Sequence, residues 1–296
     1  MKKPIFQGSG VALSTPFTSD GVDFSTLGNL IDFQLKNKTD AIIVCGTTGE
    51  AATMSERERM QAIEFCVDRV HGRVPVIAGT GSNSTESAVS MSRNAAHAGA
   101  DALLVVTPYY NKATQTGLLR HYRCIADAAD APLIIYNVPS RTGVSVAPET
   151  CARLSEHPNI AGIKEASGNL ANIQKIRNLA AEDFCIWSGN DDETVPICAL
   201  GGCGVISVVA NVLPAGMHEL VQLCLQNDYA AAGKLQLHLK NLCDVLFCEV
   251  NPIPVKTALT MMGWNMGPLR MPLCPPSPEH MDQIRRVLAE YRLLPV

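Results

Sequence analysis

The sequence predicts an α/β protein, a (β/α)8 barrel of the TIM type with a C-terminal helical extension, and three observations carry that prediction. Eight short apolar or β-branched runs alternate with amphipathic stretches, only helical patterns follow Asn211, and no dinucleotide-binding glycine fingerprint is present. Parallel strands need a crossover long enough to return the chain, which a helix supplies, so strict alternation means a parallel sheet. Eight such units in about 210 residues match a closed barrel better than an open doubly wound sheet.

The candidate strands are residues 11–13, 41–45, 74–78, 102–106, 133–136, 160–164, 184–187 and 204–208. Start signals mark the helices between them: Ser55 is placed to cap, with Glu58 at the capping-box position, and Ser84 precedes Thr85 and Glu86 in the same way. Beyond the last strand the pattern predicts helices over 215–226, 229–244, 254–262 and, after the proline-rich break 272–278, 278–291. The first of these closes the barrel. The division expected is a catalytic barrel over 1–226 and a helical appendage over 227–296, too small to bury a core alone and therefore packed on the barrel or on other subunits.

Composition narrows the function class. With 47% hydrophobic and 18% charged residues the 296-residue chain suits one large core, and 5% aromatics give no base-stacking surface. A net charge of -4 and a pI near 6.0 provide no attraction for nucleic acid or an anionic membrane, so small-molecule partners are favoured. The cations of residues 1–6 are followed by Gln7-Gly8-Ser9-Gly10 rather than an apolar core, and no stretch is long enough to span a bilayer; a cytoplasmic protein without an export leader is expected. The eleven cysteines are odd in number and lie mostly inside apolar runs such as Ile43-Val44-Cys45, which reads as small buried hydrophobes in a reducing compartment. Cys198/Cys203 and Cys243/Cys248 lack a CxxC unit or a histidine cluster, so no metal is expected.

In such barrels the chemistry sits at the C-terminal ends of the strands. The second candidate strand ends in Gly46-Thr47-Thr48-Gly49-Glu50, whose N–H groups and hydroxyls can cradle a small carboxylate; on spacing alone it is equally an ordinary strand-to-helix turn. The fourth ends in Tyr109 and Tyr110 and the fifth begins its loop at Tyr136, three of only six tyrosines. Each can carry a proton, and each can equally pack with its hydroxyl bonded. Arg141, between Pro139 and Gly143, can clamp a substrate carboxylate or form a surface ion pair. On the sixth strand, alternation puts Lys164 on one face with Gly162 and Ala166, giving it room and little water. Burial disfavours an unpaired ammonium and so favours the neutral amine that attacks a carbonyl, although a lysine here can also snorkel to solvent. Gly201-Gly202-Cys203-Gly204 precedes the eighth strand and reads as a tight turn rather than a phosphate site, and Asp191-Asp192-Glu193 reads as helix-dipole complements rather than metal ligands.

The runs GTTGE (46–50), AGTGSN (78–83), TPYYN (107–111), YNVPSRTG (136–143), GIKEASG (162–168), GVISV (204–208) and NPIPVK (251–256) together resemble the 4-hydroxy-tetrahydrodipicolinate synthase (dihydrodipicolinate synthase) family of pyruvate-dependent Schiff-base lyases, nearly end to end. The resemblance implies that Lys164 forms an imine with pyruvate, whose enamine attacks L-aspartate 4-semialdehyde, as in lysine and diaminopimelate biosynthesis. It implies Tyr136 as general acid/base, a hydroxyl relay through Thr47 and a Tyr110 lent by the neighbouring subunit, pyruvate carboxylate binding by Thr48, a wall formed by the Ile206 carbonyl, and Arg141 on the semialdehyde carboxylate. No cofactor and no metal are implied, and a homotetramer, a dimer of dimers, is expected. At the family's L-lysine feedback pocket Ala52, Asn83 and Tyr109 match, whereas Glu56, Arg59 and Ser87 depart from sensitive members, which implies weak or no feedback. The same lysine and tyrosine would serve an N-acetylneuraminate lyase or a 2-keto-3-deoxy sugar acid aldolase; a non-catalytic barrel is the alternative of another class.

Overall fold

The structure, a computed structural model, describes residues 2–295; Met1, where the segment read for an export leader begins, and Val296 lie outside them. Its strands are β1 (Gly8–Ala12), β2 (Phe17–Thr18), β3 (Gly21–Val22), β4 (Ala41–Val44), β5 (Val76–Gly79), β6 (Ala102–Val106), β7 (Leu133–Asn137), β8 (Ile160–Glu165), β9 (Cys185–Ser188) and β10 (Gly204–Ser207). Eight of them close a parallel barrel in the order β1, β4, β5, β6, β7, β8, β9, β10, and β2 with β3 forms a small antiparallel hairpin outside it.

The crossovers run through α1 (Phe24–Lys36), α2 (Glu56–Val70), α3 (Thr85–His97), α4 (Gln115–Ala128), the single turn α5 (Pro139–Thr142) with α6 (Pro148–Ser155), α7 (Leu170–Leu179) and α8 (Thr194–Ala199); α9 (Pro214–Leu225) follows the last strand. Their starts are set locally. Ser55 accepts from the Glu58 amide while Glu58 reaches back to the Ser55 amide, and Ser84 and Thr114 cap α3 and α4 with their hydroxyls.

Alternation along each strand divides the apolar side chains into two cores. Ile43, Ile77, Leu104, Ile134 and Trp187 fill the barrel interior, while Ile42, Val44, Leu103, Ile135 and Ile186 face the helices. Burial on both faces is why these strands read as continuous apolar runs. Phe6 plugs the interior from the segment before β1, its ring stacked on Trp187 at 5.2 Å.

β1 starts at Gly8, three residues before the run 11–13 that predicts it. Glycines weaken a strand signal, yet here they let the barrel close: Gly8 and Gly204 pair across the seam, both with φ near +135°, and a Cβ on Gly204 would lie 1.9 Å from the Gly8 carbonyl oxygen. The expected turn over 201–204 is therefore shorter, because Gly204 already belongs to β10.

The predicted helix over 229–244 breaks at Leu239 into α10 (Tyr229–His238) and α11 (Lys240–Val245), and α12 (Ile253–Met261) and α13 (Pro278–Glu290) complete the extension. α10 packs on α8 and α9, α11 and α12 reach the short turns after β9 and β10, and α13 packs on α11 and α12. Among the described residues no helix is long and apolar enough to cross a membrane. Seven cysteines are buried as expected, but Cys124 and Cys274 are exposed, contrary to the uniform reading as buried hydrophobes.

Candidate active site

The inward face of β8 sets Lys164 between Tyr136 of β7 and Trp187 of β9, its register partners. Its amine lies over the Tyr136 ring, Nζ 4.3 Å from the centroid, and the residue is 5% exposed without an ion pair among the described residues. Two glycines make the space. A Cβ on Gly162 would stand 2.7 Å from Trp187 Cζ3, and one on Gly189 would stand 2.6 Å from Ala166 Cβ and 3.1 Å from Lys164 Cε. The carboxylates nearby are engaged elsewhere. Glu165, on the opposite strand face, accepts from Asn137 and the Ser167 amide, and burial pushes its carboxyl up.

Lys164 opens into a cavity of about 180 Å3 at the C-terminal mouth of the barrel. Thr47, Thr48, Tyr136, Arg141 and Asn251 share its wall, which carries two cationic side chains and no carboxylate. Such a lining suits a small anion carrying a carbonyl. A second cavity of about 370 Å3 abuts it, sharing Thr47, Tyr136 and Arg141 and adding Ala52, Arg59 and Tyr109. Arg59 donates through Nη2 to the Gly79 carbonyl, while its buried Nε has no partner among the described residues.

The Gly46–Glu50 turn is gripped from the extension. Thr48 Oγ1 accepts from Asn251 Nδ2 at 3.0 Å, and Glu50, in the left-handed region at φ +55°, pairs with Lys256 of α12 at 2.6 Å in full burial. Burial lowers the Lys256 ammonium from its ordinary range, opposed by its bond to Glu50. Glu50 also accepts from the Arg270 amide at 3.0 Å, and Arg270 stacks on Phe17.

Of the sequence-predicted residues, Lys164, Tyr136, Thr47, Thr48 and Arg141 converge on the cavity. Two do not. Tyr110 projects from its loop 89% exposed with φ +73°, and Ile206 is wholly buried in the barrel interior. The acidic run does more than complement a dipole: buried Asp191 accepts from the Val208 and Val209 amides and the Ser207 hydroxyl, so it holds the loop after β10, and burial pushes its carboxyl up. Gly189, Asn190, Phe247 and Asn251 also line the cavity and escaped the sequence reading. The first two follow a candidate strand end and carried that signal; Asn251 opens the NPIPVK run, which marked the resemblance but not a place in the site, and Phe247 carried no signal.

A model of the dihydrodipicolinate synthetase family matches residues 5–291. The chain belongs to that family. Within it, the 4-hydroxy-tetrahydrodipicolinate synthase of Thermoanaerobacter sp. (strain X514) is 54% identical over 292 residues, 98% of each chain. The crystal structure of dihydrodipicolinate synthase from Aquifex aeolicus superposes with a TM-score of 0.96 at 48% identity, covering 98% of this chain and 99% of that one. A monomeric dihydrodipicolinate synthase variant is as similar in fold, with a TM-score of 0.96 at 44% identity and 98% coverage of both chains. The barrel, the helical extension and the strand-end cavity are thus those of a dihydrodipicolinate synthetase family member.

Proposed function

We propose that Lys164 is the Schiff-base residue of a lyase that condenses pyruvate with L-aspartate 4-semialdehyde to 4-hydroxy-tetrahydrodipicolinate, the reaction after which the curated relatives are named. The observation that carries the assignment is the buried, unpaired amine of Lys164 against the Tyr136 ring in a small cavity free of carboxylates.

The amine adds to C2 of pyruvate, and loss of water leaves an imine. A proton leaves the methyl carbon, the enamine carbon attacks the semialdehyde carbonyl, and that carbonyl oxygen takes up a proton to become the 4-hydroxyl. The substrate amine then adds to C2 and expels Lys164 as a free amine, closing the ring; one water is released overall. Tyr136, beside the Lys164 amine, would give and take these protons, and Thr47, which lines the same cavity, would be the next hydroxyl. Thr48 would hold the pyruvate carboxylate and Arg141 that of the semialdehyde, and the Ile206 carbonyl would border the pyruvate site from the interior. Tyr110 would complete the relay from a neighbouring subunit: the tyrosine is 89% exposed on its loop, which leaves it available to the site of another subunit. A homotetramer built as a dimer of dimers is the assembly we propose. The names of the curated relatives favour this short aldehyde over the polyhydroxylated partners of a sugar acid aldolase.

The test is borohydride reduction in the presence of pyruvate followed by peptide mass analysis. A reduced three-carbon adduct on the Lys164 peptide is expected, and its absence would overturn the reading. For regulation we propose weak or no L-lysine feedback, because Arg59 brings a cation to the second cavity and no carboxylate lines that cavity to receive an ammonium. Half-inhibition at sub-millimolar L-lysine would contradict this.

A further inference from the structure

Two elements far apart in the chain meet at Thr48, and the direction of their hydrogen bond has a chemical consequence. Asn251 lies just before α12, is 5% exposed, and donates through Nδ2 to Thr48 Oγ1 at 3.0 Å. Its backbone carbonyl accepts from Arg141 Nη2 at 3.3 Å. Five residues on, Lys256 grips Glu50, the last residue of the same turn. The turn is thus held at Thr48 and at Glu50 by one segment of the extension.

A threonine hydroxyl has one proton to give and two lone pairs. With one lone pair taken by the Asn251 amide, its proton has no claim from that neighbour and is left for an acceptor in the cavity. A 2-keto acid presents an acceptor-only carboxylate there. Were the Asn251 carbonyl oxygen turned to Thr48, the proton would go to Asn251 and the hydroxyl would face the substrate carboxylate with lone pairs alone, which is repulsive. Asn251 Oδ1 is buried with no partner among the described residues, so the Nδ2 contact is the side chain's one anchoring bond.

We propose that Asn251 is a positioning residue for the first substrate: by donating to Thr48 it sets that hydroxyl as a donor to the pyruvate carboxylate. The proposal rests on the Lys164 reading above and extends it to a residue of the helical extension.

The experiment titrates pyruvate in the borohydride trapping assay, without semialdehyde, on the unsubstituted enzyme and on Asn251→Ala, Asn251→Asp, Thr48→Val and Thr48→Val/Asn251→Ala. In Asn251→Ala the Thr48 hydroxyl is free to turn from the pyruvate carboxylate, and the weakened charge-assisted bond raises the half-saturating pyruvate by up to about tenfold, with the limiting trapping rate within about twofold. The nearly isosteric Asn251→Asp shows a larger rise, since its carboxylate takes the Thr48 proton and repels the substrate. On the Thr48→Val background, Asn251→Ala adds less than about twofold, because a residue acting through Thr48 has nothing left to orient. Thermal melts accompany each variant, and if Asn251→Ala is destabilised the Asp variant decides. Half-saturation like that of the unsubstituted enzyme in the Asp variant, or a full additive effect on the Thr48→Val background, overturns the proposal. No adduct in the unsubstituted enzyme overturns instead the Lys164 reading, and the positioning role with it.

Discussion

At the residue scale the cavity brings together two basic side chains in different settings. Lys164 is buried with its amine over an aromatic ring, whereas Arg141 is exposed and its side chain is held, among the described residues, by one 3.3 Å bond to the Asn251 carbonyl. Their burial suits their proposed tasks: the amine needs a dry, unpaired setting, and the guanidinium stays charged in any setting. Arg141→Ala should therefore raise the KM for the semialdehyde tenfold or more, at about 1.5–3 kcal/mol for a charge-assisted bond, while leaving the half-saturation of pyruvate trapping unchanged. Steady-state kinetics beside the trapping assay checks both halves, and a matching shift for pyruvate would place Arg141 on the other carboxylate.

At the element scale the site depends on how closely β8 and β9 approach. Gly189 follows β9 where the Lys164 side chain passes, and a methyl there would sit 2.6 Å from Ala166 Cβ and 3.1 Å from Lys164 Cε. Gly189→Ala should destabilise by about 1–3 kcal/mol as overpacking does, and should slow adduct formation because the lysine must move. Gly162→Ala meets harder atoms, the Cys185 carbonyl oxygen at 2.2 Å, so it should lower the melting temperature further than Gly189→Ala. Equal melting temperatures for the two would show that the strands yield more easily than their backbone contact implies.

At the scale of the whole molecule the extension is tied to the barrel by charge as well as by packing. Arg270, between α12 and α13, donates to Glu58 in the first turn of α2, and this bond with the Ser55 amide holds the Glu58 carboxyl down to about 2 from its ordinary 4.5. The folded form thus keeps the carboxylate where the unfolded chain binds a proton. Its stabilisation is present above pH 4.5 and is lost as the pH falls toward 2. Arg270→Met should lower stability at neutral pH and flatten the acid limb of the stability curve between those limits, with the difference from the unsubstituted protein vanishing near pH 2. Chemical denaturation across that range measures it, and a difference independent of pH would assign the loss to packing on Phe17 instead.

Alternation and local start signals were enough to read the barrel, the all-helical character of the C-terminal region and the strand-end placement of Lys164, Tyr136, Thr47, Thr48 and Arg141. These follow from near-neighbour physics: the period of a strand, the hydrogen-bonding reach of Ser55 or Ser84, the rule that barrel chemistry lies where strands end. The seam at Gly8 and Gly204 was not legible, because two glycines look like a weak strand until their backbones are seen to touch. Nor was the role of the extension. Asn251 meets Thr48 across 203 residues and Lys256 meets Glu50 across 206, contacts set by how α10 to α13 pack on the barrel and by no local pattern. The sequence by itself determined a barrel with an amine at the end of its sixth strand; only the tertiary structure decided that the extension reaches back to hold the turn facing that amine.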